Sequence, residues 1–303
     1  MYKIKNFDNW IENEESGKFG SGASEKIWLV NPKTGQKGVF KFPKIRTDGK
    51  ITGEYYAEKI SSELGKLLEI PCANVDIGVY KERLGSISYN LVGDNELLNE
   101  GINYIQEKYP NYDKDKFIDE VANEKYDIQM LEKLNINIKD ILTMVIFDAL
   151  IGNSDRHHSN WGYIYNLENN NVLDSYFCPL YDNGSSLCSY VDEEDINNIL
   201  KDKLRYNALI DSKSKSSIGW CSKRPIKHFE LIENICKNYY DTTIDIIYKI
   251  RKIITEESIK EILNNFDDEI ISKEKKNLLL KFIIDRKNKI LAIYKIENEV
   301  NIE

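Results

Sequence analysis

Short apolar segments bounded by turn-rich sequence dominate the first ninety residues, which is typical of β-strands. NPKTGQ and KERLG each lie between two such segments, so the pattern predicts two hairpins. Between the hairpins, residues 53–69 place apolar side chains at helical spacing, and Pro71 follows as a stop signal. The first part of the chain is therefore predicted to be a small sheet with one helix. Its strands are expected at KIWLV (26–30), GVFKF (38–42), VDIGVY (75–80) and SISYNLV (86–92).

The pattern changes past Gly93, and from Asn95 onward it is largely helical. One apolar helix, starting near Ile138, is expected to end at Gly152, and a short hairpin should follow over 161–181. The polar segment 185–225 shows no clear periodicity of hydrophobic positions. Beyond it, helical patterns alternate with capping residues such as Thr255 and Ser272.

Composition restricts the class of protein. The 303 residues are 41% hydrophobic and 30% charged, as expected for a folded globular chain. No apolar run approaches the roughly 20 residues of a membrane span, and the start lacks a secretory signal, so a cytoplasmic location is expected. The net charge of −8 argues against nucleic-acid binding. The five cysteines are odd in number and lack a C-x-x-C pair, which favours reduced thiols over disulfides or zinc.

Three polar residues follow the spacing that phosphoryl transfer uses in protein kinases. Asp155 and Asn160 are five residues apart, like the Asp and Asn of H-R-D-x-x-x-x-N. There the Asp meets the substrate hydroxyl and the Asn holds Mg²⁺. Asp182, in D-N-G, follows the predicted hairpin and is placed like the metal-binding Asp of D-F-G. The spacing predicts Asp155 as catalytic base and Asn160 and Asp182 as Mg²⁺ ligands, with His157 organising the loop.

The first part of the chain offers candidates for nucleotide binding. Lys41 alternates with Phe40 and Phe42, so it should face the cleft if the phenylalanines face the core. A kinase pairs such a lysine with a helix glutamate; Glu54 and Glu58 are candidates, and Glu54 is favoured. The glycine-rich segment before the first hairpin would let backbone N–H groups approach phosphate. Its candidate residues are Gly17, Gly20, Ser21, Gly22, Ala23 and Ser24.

Each candidate also has an ordinary explanation. Asp155 could cap a short helix, Asn160 and Asp182 could be turn residues, and Lys41 could be a solvated strand lysine. Asp148, within an apolar helix, is better explained as a buried hydrogen bonder. Order and spacing taken together favour a kinase-type site.

The motifs resemble those of the HipA-like serine/threonine kinases and, more distantly, the phosphatidylinositol 3/4-kinases. The histidine follows the catalytic Asp in D-R-H-x-x-N, within G-N-S-D-R-H after an F-D-A-L-I helix. P-L-Y-D-N-G, G-A-S-E-K, F-K-F-P and G-E-Y-Y-A add to the resemblance, which spans about residues 15–190. The resemblance implies an α+β, bilobal protein-kinase-like fold, with a small β-rich N-lobe (1–93) containing one helix and a larger, mainly helical C-lobe (94–303).

The resemblance also implies an activity. The expected enzyme uses ATP and Mg²⁺ to phosphorylate serine or threonine of an unidentified protein and autophosphorylates. The glycine-rich segment would cover the phosphates, Lys41 would bind them, and Asn90, Leu91 and Val92 would contact adenine. The glycine-rich segment begins within twenty residues of Met1, so the compact CtkA-type members are the better match and a toxin–antitoxin role is in doubt. The sequence does not name an antitoxin or host-protein partner.

Two alternatives keep the fold and change the function. A lipid or small-molecule kinase shares D-R-H-x-x-N, although a lipid kinase would favour a basic membrane-facing surface. A nucleotide-binding interaction module without turnover is the other alternative, and the presence of the base, metal ligands and lysine argues against it.

Overall fold

The computed structural model describes residues 1–13, 25–169 and 171–297. Within these ranges, the first part forms a six-stranded sheet in the order β1-β5-β6-β4-β3-β2. Neighbouring strands are antiparallel except β1 and β5, which are parallel. Both predicted hairpins are confirmed, as β3–β4 and β5–β6. The strands are β1 (Lys5–Asn6), β2 (Ile11–Glu12), β3 (Lys26–Val30), β4 (Lys37–Lys41), β5 (Val75–Tyr80) and β6 (Arg83–Tyr89).

The β5–β6 turn is tighter than the sequence indicated. Tyr80 pairs directly with Arg83, so the turn has only two central residues, and most of the predicted KERLG loop belongs to β6. Lys81 and Glu82 have φ values of 50° and 62°, the left-handed conformation of both central residues in a type I′ turn. Such turns usually carry Asn or Gly, and neither residue was present to mark this one.

Helix α1 (Glu54–Leu68) packs between the sheet and the rest of the molecule, and it confirms the predicted helix. Its side chains Ile60, Leu64 and Leu68 are fully buried. Glu69 ends the helix in the left-handed conformation (φ 51°), and Pro71 then prevents continuation. Glu58 is buried in the middle of this helix, which is costly for a carboxylate unless it is paired.

The second part contains strands that the helical pattern did not predict. Strand β7 (Glu96–Glu100) adds to the predicted hairpin, β11 (Gly162–Glu168) and β12 (Asn171–Phe177), to give the sheet β12-β11-β7. Three two-residue strands form another small sheet: β8 (Tyr112–Asp113), β9 (Ile118–Asp119) and β10 (Glu124–Lys125). The expectation of a largely helical chain from Asn95 is wrong over this stretch, because short strands depend on distant partners more than on local periodicity.

Helices form the remainder and confirm the predicted α+β class. The caps predicted at Thr255 and Ser272 begin α9 and α10. The segment 185–225, which gave no pattern, contains α5, α6, a π-helical turn at Ala208–Ser212 and β13 (Lys215–Ser216), which pairs with β14 (Ile226–Lys227). The helices are α2 (Gly101–Lys108), α3 (Ile128–Glu132), α4 (Ile138–Ile151), α5 (Glu193–Lys201), α6 (Lys203–Asn207), α7 (His228–Asn238), α8 (Tyr240–Ile253), α9 (Glu256–Asn264) and α10 (Lys273–Ile293).

Helix α4 is the central helix of the second part. It is apolar on nearly all sides and packs against α7, α8 and α10. Gly152 ends it with φ 71°, and a Cβ there would lie 2.8 Å from the Phe282 ring. Only glycine fits both the conformation and the space, so the loop that follows leaves α4 at a fixed point.

In the described ranges, none of the helices is both long enough and apolar enough to cross a membrane. The division of the chain into lobes at residue 93 stays a prediction.

Candidate active site

Lys41 lies in the cleft because of the alternation of strand β4. Phe40 and Phe42 are buried in the core of the six-stranded sheet, while Lys41 lines the opposite side. The register extends this cleft face to the neighbouring strand, where Lys26 pairs with Lys41 and Trp28 pairs with Val39. All four residues line one cavity. The sequence interpretation did not identify Lys26, although the predicted hairpin register would have placed it beside Lys41.

Lys41 forms two ion pairs across the cleft. Its Nζ donates to Glu58 Oε1 at 2.7 Å and to Asp182 Oδ1 at 2.9 Å. The other Glu58 oxygen accepts the Asn183 N–H at 3.1 Å, so Glu58 also holds the backbone that follows Asp182. One carboxylate thus fixes both the lysine and the D-N-G segment.

The choice of Glu54 as the lysine partner is wrong. Glu54 lies at the start of α1, one helical turn before Glu58. Its carboxylate instead accepts the Lys44 N–H, the Thr52 hydroxyl and the Tyr190 hydroxyl, and forms a 3.4 Å ion pair with Lys44. It therefore anchors the loop before α1, and the residue one turn further along reaches Lys41.

The charges in this cleft stabilise one another. Burial alone would raise the pKa of Asp182, but Lys41 lowers it to about 2. Burial alone would lower the pKa of Lys41, but Asp182 and Glu58 raise it above its ordinary value. The Lys41 ammonium and the Asp182 carboxylate are therefore both charged at neutral pH.

Arg156 holds two segments together, the proposed catalytic loop (residues 153–160, called the catalytic loop below) and the D-N-G segment (182–184). It is 1% exposed. Its guanidinium binds both oxygens of Asp148 on α4, through Nε at 3.0 Å and Nη2 at 2.8 Å. Nη1 donates to the backbone carbonyls of Asn160 (2.8 Å) and Tyr181 (2.7 Å), and Nη2 also donates to Asn183 Oδ1 at 2.5 Å. A single cation thus joins the helix, the end of the loop and both neighbours of Asp182. Asp148 is a buried hydrogen bonder, as expected.

Asp155 lies at the exposed mouth of the cleft, in a cavity of about 120 Å³ that Lys41, Glu58, His157 and Asp182 also line. The Asp155 N–H donates to Asn153 Oδ1 at 3.1 Å, which fixes its backbone. Partial desolvation raises the pKa of Asp155, and the nearby His157 opposes this. A carboxylate with a raised pKa that still faces solvent is a stronger base than an ordinary aspartate.

His157 and Asn160 contribute to the loop itself. His157 Nδ1 accepts the Ser159 N–H at 3.2 Å. Desolvation lowers the pKa of His157, so the ring is neutral near pH 7. Asn160 is 1% exposed, and its Nδ2 donates to the Asp155 carbonyl at 2.8 Å. This orientation leaves the Asn160 side-chain oxygen for another ligand.

A second buried hydrogen-bond network contacts the loop at its Asn153 end. His228, at the start of α7, donates from Nε2 to the Asn153 carbonyl at 2.8 Å. Its Nδ1 lies 3.1 Å from the Ser214 hydroxyl and 3.0 Å from Arg286 Nη2. Burial lowers the pKa of Arg286 to about 9 and that of His228 well below its ordinary value. Local sequence carries no signal for this contact, because α10 lies more than a hundred residues from the loop.

An apolar cavity adjoins Lys41 where the first sheet meets the second. Asn90, Leu91 and Val92 line it, in the position predicted for an adenine-binding linker. Leu98 and Tyr181, which the sequence interpretation did not single out, line it as well. The cluster of Leu98, Ile164 and Cys178 packs against Leu91 and Val92 and supports this end of the cavity. The predicted phosphate-binding residues 17–24 lie outside the described residues.

The side chains fit a magnesium nucleotide. Mg²⁺ is usually held by one or two carboxylates together with phosphate oxygens and water. Asp182 supplies a carboxylate, and Asn160 supplies a side-chain oxygen that accepts no hydrogen bond from the described residues. Arg156 holds the backbone beside both. The cleft also has a cation for phosphate and an apolar cavity for a base. The roles of the individual residues stay predictions.

The arrangement of the sheets and helices resembles that of protein kinases of the HipA type. No family model matches the chain. By sequence it is homologous to the serine/threonine-protein kinase CtkA of Helicobacter pylori strain J99, with 27% identity over 150 residues. That match covers 50% of this chain and 44% of the relative, so it spans less than half of the relative's length.

Solved structures extend the comparison to nearly the whole chain. The proinflammatory kinase CtkA of H. pylori superposes with a TM-score of 0.78 at 19% identity, covering 96% of each chain. The HipA–HipB–operator DNA complex of Shewanella oneidensis MR-1 gives a TM-score of 0.56 at 14% identity, covering 93% of this chain and 68% of the other. The predicted HipA-like kinase fold is therefore confirmed.

Proposed function

We propose that the protein is an ATP- and Mg²⁺-dependent serine/threonine protein kinase that also phosphorylates itself. The observation that carries the proposal is the Arg156 clamp, which joins the Asp155 loop to Asp182 while Asp182 pairs with Lys41. Phosphoryl transfer depends on positioning and on charge stabilisation, and these contacts provide both. The homology to a serine/threonine-protein kinase supports the choice of acceptor.

Each side chain has a defined task in this proposal. The cavity beside Asn90–Val92 would hold adenine, and Lys41 would bind the phosphates while Glu58 keeps its ammonium in place. Asp182 and Asn160 would hold Mg²⁺, which neutralises phosphate charge when bound. Asp155 would orient the acceptor hydroxyl and accept its proton as the oxygen attacks the γ-phosphorus. ADP then leaves with the β–γ bridging oxygen.

The test is direct phosphate transfer with three acceptors. Purified protein would be incubated with Mg²⁺ and γ-labelled ATP alone, with a mixed serine/threonine peptide pool, and with phosphoinositide vesicles. Label on serine or threonine, absent from Lys41→Met, supports the proposal. Label on lipid alone would assign a lipid kinase, and nucleotide binding without any transfer would assign a binding module.

A further inference from the structure

A second cavity, of about 560 Å³, adjoins the catalytic loop. It shares Ser185 with the cavity that contains Asp155, and it is also lined by Ser154, the residue directly before Asp155. The Ser154 N–H donates to the Ser185 carbonyl at 3.1 Å, so the two cavities meet at this contact. Among the described residues, it shares none with the adenine-side cavity. A polypeptide lying there could present a hydroxyl to Asp155 without crossing the nucleotide site.

We call this second cavity, which adjoins Ser154 and Ser185, the acceptor cavity. Its lining suits a peptide segment. Ile199, Leu209 and Phe282 provide apolar surface, and the volume lies within the range of about 300–1,000 Å³ usual for ligand sites. Ser189 also lines it and is 3% exposed, yet its hydroxyl has no hydrogen-bond partner in the described part of the chain. A buried hydroxyl without a partner is unfavourable. The backbone of a bound segment could supply the missing partner.

The charged residues of the acceptor cavity are mainly basic. Arg205 and Lys213 line it, together with the single carboxylate of Asp195, so the lining has one positive charge in excess while the chain as a whole has a net charge of −8. Within the described ranges, the Arg205 side chain makes only a long ion pair with Asp202, at 3.6 Å. Lys213 has no ion-pair partner within the described ranges. Both cations are therefore available to an external anion.

We propose that the acceptor cavity binds the protein substrate through a segment that carries acidic side chains beside the phosphorylated serine or threonine. The inference rests on the proposed kinase activity and adds a substrate class to it. Arg205 and Lys213 would contact the acidic side chains, and Ser189 would bind the segment's backbone. Specificity would then arise from residues that take no part in the transfer chemistry.

The experiment uses two synthetic peptides that share a central serine in an alanine–glycine frame. One carries three glutamates beside the serine and the other carries three lysines. We expect the glutamate peptide to be used about tenfold more efficiently by the wild type. The double variant Arg205→Ala/Lys213→Ala should lose this preference through a higher KM, with kcat and ATP affinity unchanged. The matched control is Lys201→Ala/Lys203→Ala, which removes two exposed cations that do not line the cavity.

Peptide binding, followed by fluorescence anisotropy, separates this inference from the kinase proposal. If the wild type binds the glutamate peptide more tightly and the double variant does not, the cavity assignment stands even when no phosphate is transferred. If phosphate is transferred and the double variant treats both peptides as the wild type does, the cavity assignment is wrong. Arg205→Glu/Lys213→Glu must reverse the preference toward the lysine peptide. A folded charge-reversed variant that keeps the acidic preference would also overturn the assignment.

Discussion

The catalytic loop and the segment that follows Gly184 lie side by side but are stabilised differently. The loop depends on buried Arg156, paired with Asp148 and bonded to three further acceptors. The later segment is tied to the loop before α1 by more exposed pairs, Arg46 with Asp192 and Lys50 with Glu194. It also contains the Ser189 hydroxyl, which has no hydrogen-bond partner among the residues that the structure describes.

We relate this difference to two tasks of the proposed kinase, phosphoryl transfer and recognition of the acceptor. Buried charge pairs tolerate little displacement, so they suit groups that must meet a phosphate within a fraction of an ångström. Exposed pairs contribute little to stability and can rearrange around different partners. Under the proposed kinase function, the loop would serve one reaction, and the later segment would leave room for a particular acceptor.

The largest effect should come from removing Arg156. Arg156→Ala leaves Asp148 buried without its cation, and we expect the free energy of unfolding to fall by about 3–5 kcal/mol. The matched control is Arg83→Ala, which removes an exposed two-bond pair with Glu25 and should cost about 1 kcal/mol or less. Urea unfolding of both variants measures the contrast, and equal losses would contradict it.

A smaller effect should distinguish the two glutamates of α1. Glu58→Gln leaves Lys41 without one of its two charged partners, and single-turnover phosphoryl transfer should fall about 10²-fold. Glu54→Gln changes a carboxylate that touches neither Lys41 nor Asp182, so transfer should fall much less. The reverse order would restore Glu54 as the lysine partner.

Low pH should reduce the free energy of unfolding through protonation of Asp182. The pKa of Asp182 is lowered to about 2 in the folded protein, below its ordinary value of about 3.8. The unfolded state therefore binds the proton more readily, and this carboxylate contributes stability above about pH 4 that is lost as the pH falls toward 2. Asp182→Asn should flatten the pH dependence of unfolding in that range. An unchanged pH dependence in Asp182→Asn would contradict this assignment.

The smallest effect is expected for the pair of Lys50 and Glu194, whose side chains are 51% and 81% exposed. A double-mutant cycle with Lys50→Ala and Glu194→Ala should give no measurable coupling energy between the two side chains. A coupling as strong as that of the buried Arg156–Asp148 pair would show that the later segment is fixed as firmly as the catalytic loop.

Local sequence patterns predicted those elements of the fold that depend on neighbouring residues in the chain. The two hairpins, α1 and the end of α4 at Gly152 follow from alternation, helical spacing and stop signals. Strand β7 could not be predicted in this way, because ELLNE becomes a strand only by pairing with β11, more than sixty residues later.

The candidate site divides in the same way, into residues that local patterns predict and residues whose roles depend on distant contacts. Alternation placed Lys41 in the cleft, but choosing Glu58 over Glu54 required the position of α1 against β4. The role of Arg156 could not be predicted, since nothing near it in sequence reveals Asp148, Tyr181 and Asn183 as its partners. Lys26 could have been found by applying the hairpin register to Lys41.

In the proposed function, the Asp155 loop performs the transfer while the Lys41 side of the cleft binds the nucleotide. The most direct measurement compares Asp155→Asn with the wild type in two assays, Mg²⁺–ATP affinity by calorimetry and single-turnover phosphoryl transfer to serine. We predict unchanged affinity and a transfer rate lower by about 10²–10⁴-fold, the usual loss for a positioned base. Transfer at the wild-type rate by Asp155→Asn would contradict the account.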